Sequence, residues 1–360
     1  MKTLRLSVDP ARIHTDAAQA AIAHAAQILR SGGLVALPTE TVYGLGANAL
    51  DPAAVARIFA AKQRPSWDPI IVHVAGPVHN NPMLQPLLAD PPLVALALME
   101  AFWPGPLTLL LPRSAAVPDI VTAGRPLVGV RMPAHPVAFE VIRQAGVPIA
   151  APSANVFSHI SPTTAAHVLE DLNGKIDAII DAGPTHHGVE STVLDPTQNP
   201  MMIYRPGAIT AEQIREIAGP VVYYEERVPP LADAPEALPA PGVGLRHYAP
   251  RARLVLVEGS LAELPARLAA AASRFVRDRL GVMLPVELVR TRLEPPLRQA
   301  AEFAWGHWNA PEELAERLYA GLRALDAESC TVILCPVPQG EGVSIAIRDR
   351  LRKAARSANL

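Results

Sequence analysis

The stretch Ser31-Gly32-Gly33-Leu34-Val35-Ala36-Leu37-Pro38-Thr39-Glu40-Thr41-Val42-Tyr43-Gly44-Leu45-Gly46-Ala47-Asn48-Ala49-Leu50-Asp51-Pro52 decides the class of fold. Ahead of it, residues 16–30 carry apolar side chains at helical spacing, and Gly32-Gly33 stops that helix. Residues 34–37 are a short apolar run that reads as a strand, and 38–48 read as a glycine-rich loop. Asp51 followed by Pro52 is a good helix start, because the carboxylate accepts from free backbone amides and proline presets φ. That helix is expected to run to about Gln63. Working outward, strands are predicted at 70–74, 107–111, 128–131, 149–151, 178–181 and 192–194. Helices are predicted at 93–102 and from Ser161-Pro162 through Leu172. Strands alternating with helices argue for an α/β sheet with some mixed pairing.

With 360 residues, half of them hydrophobic, the chain can bury two cores. Composition shifts over 228–250, where Pro229, Pro230, Pro235, Pro239, Pro241 and Pro250 fall among alanines and glycines. That reads as a stiff, extended linker, dividing a domain over 1–227 from a small α/β domain over 251–360. In the latter, strands are expected at 253–257, 281–285 and 331–336, with helices near 261–279, at 311–325 and from Val343.

The 32 basic and 34 acidic residues nearly balance, whereas a bulk nucleic-acid binder carries a basic excess, so any RNA contact must be local or transient. The two cysteines, Cys330 and Cys335, are too few for a disulfide framework and lack metal-site spacing, which suits a reducing compartment. No signal peptide and no membrane span are read, so a cytoplasmic location is expected.

Several chemistries are excluded. There is no G-x-x-x-x-G-K-[ST] loop, Gly44-Leu45-Gly46 lacks the third glycine of a dinucleotide site, and Ser153-Ala154-Asn155 is not a hydrolase elbow. His186-His187 lacks the spacing of a helical zinc pair. What remains is a set of cations and hydroxyls beside short apolar runs: Lys62, Arg64, Arg131, Ser153, Asn155 and Arg205. Such groups, expected at one edge of the sheet, suit a polyphosphate bound without a P-loop. Each also has a plainer reading. Lys62 and Arg64 could cap a helix end, Ser153 and Asn155 could shape a turn, and His73 could be a core histidine. Arg131 could pair with a carboxylate, and Ser161 could cap a helix. On residue types alone the chain is an anion-binding α/β protein.

The order of motifs adds more. Pro38-Thr39-Glu40-Thr41-Val42-Tyr43-Gly44-Leu45-Gly46, Lys62-Gln63-Arg64-Pro65 and Ile70-Ile71-Val72-His73-Val74 resemble the opening of the threonylcarbamoyl-AMP synthase family. Phe102-Trp103-Pro104-Gly105-Pro106-Leu107-Thr108, Val128-Gly129-Val130-Arg131-Met132-Pro133 and Ala151-Pro152-Ser153-Ala154-Asn155 continue the match. So do Ile160-Ser161-Pro162-Thr163, Gly188-Val189-Glu190-Ser191-Thr192-Val193 and Tyr204-Arg205-Pro206-Gly207. Arg246-His247-Tyr248-Ala249-Pro250 and the α/β segment after it are similar to the long, two-domain form.

The resemblance implies a twisted mixed sheet of the YrdC type followed by a smaller, Rossmann-like α/β domain. It also implies a cytosolic nucleotidyltransferase that makes L-threonylcarbamoyladenylate from L-threonine, bicarbonate and ATP, releasing pyrophosphate, for modification of tRNA. By resemblance Thr41, His73, Arg131, Ala151 and Ser191 hold threonine, with Arg131 on its carboxylate. Lys62, Arg64, Asp68, Ser153, Asn155, Ser161 and Arg205 hold the nucleotide, and His247 or Tyr248 reaches onto the cavity from the linker. Lys62 and Arg64 carry the catalytic electrostatics, Mg²⁺ comes with ATP rather than on protein ligands, and the product passes to a tRNA threonylcarbamoyl transferase. The rival reading is a non-catalytic RNA-binding module with a basic cavity.

Overall fold

The computed structural model describes residues 2–225, 237–243, 247–289 and 297–356. Two compact units divide the chain. The first comprises Met1–Phe157, Pro162–His186 and Glu190–Gly244; the second comprises Ser158–Ser161, His187–Val189 and Leu245–Leu360. The linker expected over 228–250 lies partly outside the described residues. No described helix is long and apolar enough to cross a membrane.

The strands of the first unit are β1 (Leu4–Ser7), β2 (Val35–Pro38), β3 (Tyr43–Asn48), β4 (Ile71–His73), β5 (Leu107–Pro112) and β6 (Leu127–Arg131). They continue with β7 (Ile149–Ala150), β8 (Ala178–Asp181), β9 (Thr192–Asp195), β10 (Met201–Arg205) and β11 (Val221–Tyr223). All join one twisted mixed sheet in the order β1-β8-β2-β3-β7-β4-β6-β5-β9-β10-β11. Its helices are α1 (Asp16–Arg30), α2 (Pro52–Lys62), α3 (Leu93–Phe102), the single turn α4 (Asp119–Thr122), α5 (Pro136–Ala145), α6 (Ala165–Leu172) and α7 (Ala211–Ala218).

Local chemistry sets the helix ends. Thr15 caps α1 by accepting from the Ala18 amide. Asp51 caps α2 by accepting from Ala53 and Ala54, and Gln63 ends that helix in the left-handed conformation. The helix expected from Ser161-Pro162 begins later, at Ala165, because Thr164 is the residue whose hydroxyl accepts from the His167 amide. The loop expected over 38–48 is confined to 39–42, since Tyr43–Asn48 pairs with β2 as a strand. Gly46 serves close packing there: a Cβ on it would lie 2.9 Å from Ile149 Cγ2 and 3.2 Å from the Val35 carbonyl.

Side chains alternate across a strand, so parity separates the two faces of the sheet. Val72, Leu109, Leu111, Val130 and Leu194 join Ile22, Leu29, Ile58, Leu98 and Val141 of the helices in the main core. The opposite face carries Ile71, Leu110 and Val193, covered by Ala240 and Val243. His73, Thr108, Arg131 and Ser191 have the parity of this second face.

The second unit has a parallel sheet of β12 (Arg253–Val257), β13 (Leu280–Pro285), β14 (Ala301–Gly306) and β15 (Val332–Pro336), in the order β12-β15-β13-β14. Helices α8 (Leu264–Ala272), α10 (Pro311–Ala327) and α11 (Val343–Ala355), with the single turn α9 (Val286–Val289), accompany it. Leu264, Leu268, Val282, Leu284 and Leu334 form its core. The helix expected over 261–279 is shorter, giving way to a 3₁₀ turn at Ser273–Phe275.

Candidate active site

Of the threonine-side residues named from sequence, His73, Arg131 and Ser191 lie on the sheet face opposite the main core and Thr41 reaches Arg131 from the loop before β3, whereas Ala151 packs with the main core. Arg131 closes β6, level with His73 at the end of β4. Its Nη1 donates to Thr41 Oγ1 at 3.0 Å and its Nε to the Gly105 carbonyl at 3.1 Å. Its Nη2 lies 2.5 Å from Glu40 Oε1, an ion pair in which both side chains are buried. Thr41 precedes β3, and β7 and β4 separate β3 from β6. In a flat sheet three strand spacings, about 14 Å, would lie between them. The extended Arg131 side chain and the loop position of Thr41 together bridge that span. Burial pulls the other way, yet the Arg131 charge beside it holds Glu40 below the usual carboxylate range, so it stays ionised. His73 is pushed down to about 3, first by burial and then by Arg131, and is neutral at physiological pH. Ala151, just past β7, donates its amide to the Ile71 carbonyl at 2.9 Å.

Ser191 stands beside this cluster. Its hydroxyl lies 2.8 Å from Thr108 Oγ1 and accepts from Arg205 Nη2 at 3.0 Å, while Arg205 Nε donates to the Ser191 carbonyl. Strand parity alone would send Arg205 to the core with Ile203. Between these residues β10 slips register against β9, so that Ile203 faces Leu194 while Arg205 faces Val193. This extra residue is a β-bulge, and it turns the guanidinium to the pocket face.

The phosphate-side residues form a third group. Lys62 ends α2, but its ammonium does not cap that helix. It donates to the carbonyls of Ser153 (2.5 Å) and Asn155 (2.6 Å), in the segment after β7. Burial above all, with Arg64 adding to it, holds its pKa well below the usual lysine value. Arg64 donates to the carbonyls of Asp68 and Pro69 and pairs with the Asp68 carboxylate at 2.9 Å. Asp68, expected to face the nucleotide, is fully buried against that guanidinium. Among the described residues no three His, Cys, Asp or Glu side chains form a group that could hold a metal ion.

Ser161, His247 and Tyr248 belong to the second unit. Tyr248 has φ of 64° and stacks on Tyr319 with ring centroids 5.8 Å apart. The Arg350 guanidinium lies over its ring at 5.2 Å. Sequence reasoning named neither Glu40, Gly105 nor Thr108 as site residues. Glu40 lies in Leu37-Pro38-Thr39-Glu40-Thr41-Val42, a half-polar stretch in which nothing local marks its carboxylate as buried.

Residues 27–207 match the family model described as "Telomere recombination" (Sua5, YciO and YrdC), and residues 209–356 match "Threonylcarbamoyl-AMP synthase, C-terminal domain". The threonylcarbamoyl-AMP synthase of Pyrococcus abyssi is 41% identical over 92% of this chain and 93% of its own. That of Bacillus subtilis is 42% identical over 99% of this chain and 98% of its own. Among solved structures, P. abyssi Sua5 complexed with L-threonine superposes with a TM-score of 0.87 at 39% identity, covering 98% of both chains. The chain belongs to the threonylcarbamoyl-AMP synthase family.

Proposed function

We propose that this chain is a nucleotidyltransferase that makes threonylcarbamoyl-AMP from L-threonine, bicarbonate and ATP, with release of pyrophosphate, for threonylcarbamoyladenosine formation in tRNA. The observation that carries this reading is the buried cation Arg131, set beside Thr41, His73 and Ser191. It stands in a chain that matches, over nearly its full length, a protein crystallised with L-threonine. Arg131 takes the carboxylate of the amino acid, and Thr41 and Ser191 offer hydroxyls at the pocket wall. His73, neutral and buried, has an Nδ1 without a hydrogen-bond partner among the described residues, so it suits the threonine hydroxyl as an acceptor.

The chemistry joins the threonine nitrogen to the carbon of bicarbonate, with loss of water and a proton. A carbamate oxygen then attacks the α-phosphorus of ATP; the new P–O bond forms as the bond to the β-phosphate breaks. An anion meets a polyanion, so the barrier is chiefly electrostatic. Lys62, Arg64 and Arg205 supply positive charge from the chain, with Ser153 and Asn155 beside them. Ser161, His247 and Tyr248 are the further residues proposed for the nucleotide. Mg²⁺ enters on ATP, as part of the substrate. No side-chain nucleophile is needed, and both cysteines lie outside this chemistry: Cys330 and Cys335 are buried in the second unit. The unstable product is handed to a tRNA-modifying transferase.

The test incubates the purified protein with ATP, Mg²⁺, bicarbonate and L-threonine and follows pyrophosphate, leaving out each component in turn. Release that requires both threonine and bicarbonate is expected. Release without either, or none with all present, overturns the proposal.

A further inference from the structure

Glu40 sits at the tip of the β2–β3 hairpin with 6% of its surface exposed. Arg131 pairs with it, and the backbone of Ala134 helps to keep it ionised, yet neither oxygen receives a hydrogen bond of good geometry. An ionised carboxylate offers about four acceptor positions, so this one has capacity left for a further donor. Two other buried polar atoms share its surroundings, Nδ1 of His73 and Nδ1 of His135, and neither has a hydrogen-bond partner among the described residues. Glu40 acts electrostatically on both rings, and both are neutral at physiological pH: burial pushes His73 down to about 3 and His135 to about 4.

We propose that Glu40 sets this pocket's preference for an amino acid over a simple hydroxy acid, receiving the ligand's α-ammonium while Arg131 receives its carboxylate. The inference rests on reading the pocket as the L-threonine site. Its basis is a charge balance. Arg131 and Glu40 form a neutral pair to which the neighbouring histidines add nothing, while Arg205, held on Ser191, belongs to the charge that the nucleotide neutralises. A zwitterion keeps the sum at zero, whereas a ligand with only a carboxylate leaves one buried negative charge unmatched. Displacement of Glu40 from Arg131 would be no remedy, because it strands the same buried carboxylate. Glu40 is held too acidic to deprotonate an amine, so its part is recognition and orientation.

The experiment titrates L-threonine and 3-hydroxybutyrate into the full-length protein and into Glu40→Gln by calorimetry. The second ligand keeps the hydroxyl and carboxylate and lacks the amine. Wild type is expected to prefer threonine by about tenfold or more, and Glu40→Gln to lose about tenfold for threonine while holding its affinity for the analogue. A variant that weakens both ligands alike would make Glu40 merely structural, and one that binds threonine more tightly would make it a stand-in that the substrate displaces; either overturns the proposal. If the variant does not fold, wild type still decides, since equal affinity for the two ligands also overturns it. Wild type that binds no threonine at all defeats the functional reading itself; wild type that binds threonine without preference defeats only the role of Glu40.

Discussion

Arg131 holds the pocket in two capacities, as a ligand for the substrate and as the counter-charge of Glu40. Its removal should therefore cost stability even without substrate. Breaking a buried pair from one side typically destabilises by about 3–5 kcal/mol, because the surviving charge is stranded. Arg131→Met is expected to fall in that range by urea unfolding, and Arg131→Met combined with Glu40→Gln to recover most of the loss. A single variant within about 1 kcal/mol of wild type would show that the pair is not desolvated as described. His73 makes a separate prediction. It titrates at about 3 when folded against an ordinary 6.5, so between those values the unfolded chain binds a proton that the folded one refuses. Its contribution is full above 6.5 and is lost as pH falls toward 3, amounting to about 2 kcal/mol by pH 5. Glu40, whose folded value is lowered from an ordinary 4.5, adds to the loss only below that pH. Stability measured from pH 7 to 5 should decline less steeply in His73→Gln than in wild type; parallel slopes would mean that His73 is not kept neutral by the fold.

The hairpin of β9 and β10 shows what strand pairing adds to residue identity. The bulge points Arg205 at Ser191, and the chain then turns at Gly207, where a Cβ would lie 2.3 Å from the Thr192 amide nitrogen and 2.6 Å from the Glu190 carbonyl. Both clashing atoms are backbone, and the Thr192 amide is already committed to the Pro106 carbonyl at 2.9 Å. Gly207→Ala should lower stability by about 1–3 kcal/mol and weaken threonine binding through the Arg205–Ser191 contact, read as a fall in Tm together with a rise in Kd. An unchanged Tm would mean that the turn opens freely. The bulge itself was not legible in the sequence, where Tyr204-Arg205-Pro206-Gly207 marks a cation before Pro-Gly and a family motif, since a bulge belongs to a pair of strands. The start of α2 was legible, because Asp51 caps it through contacts two or three residues away. Ser161 misled for the same local reason: it is a good capping type, but Thr164 takes the role. Gly44 and Gly46 looked like loop residues because glycine's use in close strand packing depends on partners distant in sequence. Glu40 went unnamed because its counter-charge arrives from β6.

At the scale of the whole molecule, the proline-rich stretch between the domains reads from composition as a spacer, whereas its described residues 237–243 belong to the first unit's packing. Leu238 donates its amide to the Trp67 carbonyl at 3.0 Å, and Arg125 donates to the Ala237 carbonyl. Ala240 and Val243 are buried over Ile71, Leu110 and Val193, on the sheet face that also carries His73, Thr108, Arg131 and Ser191. Trp67 is edge-on to Phe157 and lies in the loop that holds Arg64 and Asp68. The segment thus ties the phosphate-side loop to the apolar cover of the pocket face, with its own prolines limiting the entropy lost in ordering it. Val243→Asp would set a carboxylate in that apolar layer of Ile71, Leu110, Val193 and Ala240, so the stretch should come away rather than bury the charge. The expected result is stronger binding of a hydrophobic dye, because Ile71, Leu110 and Val193 become accessible, and pyrophosphate release lower by about tenfold as the Arg64 loop loses its tether. Val243→Leu, which keeps the layer apolar, should stay near wild type in both measurements. Full activity and no added dye binding in Val243→Asp would mean that the stretch is only a passive connection and that the pocket face needs no cover from it.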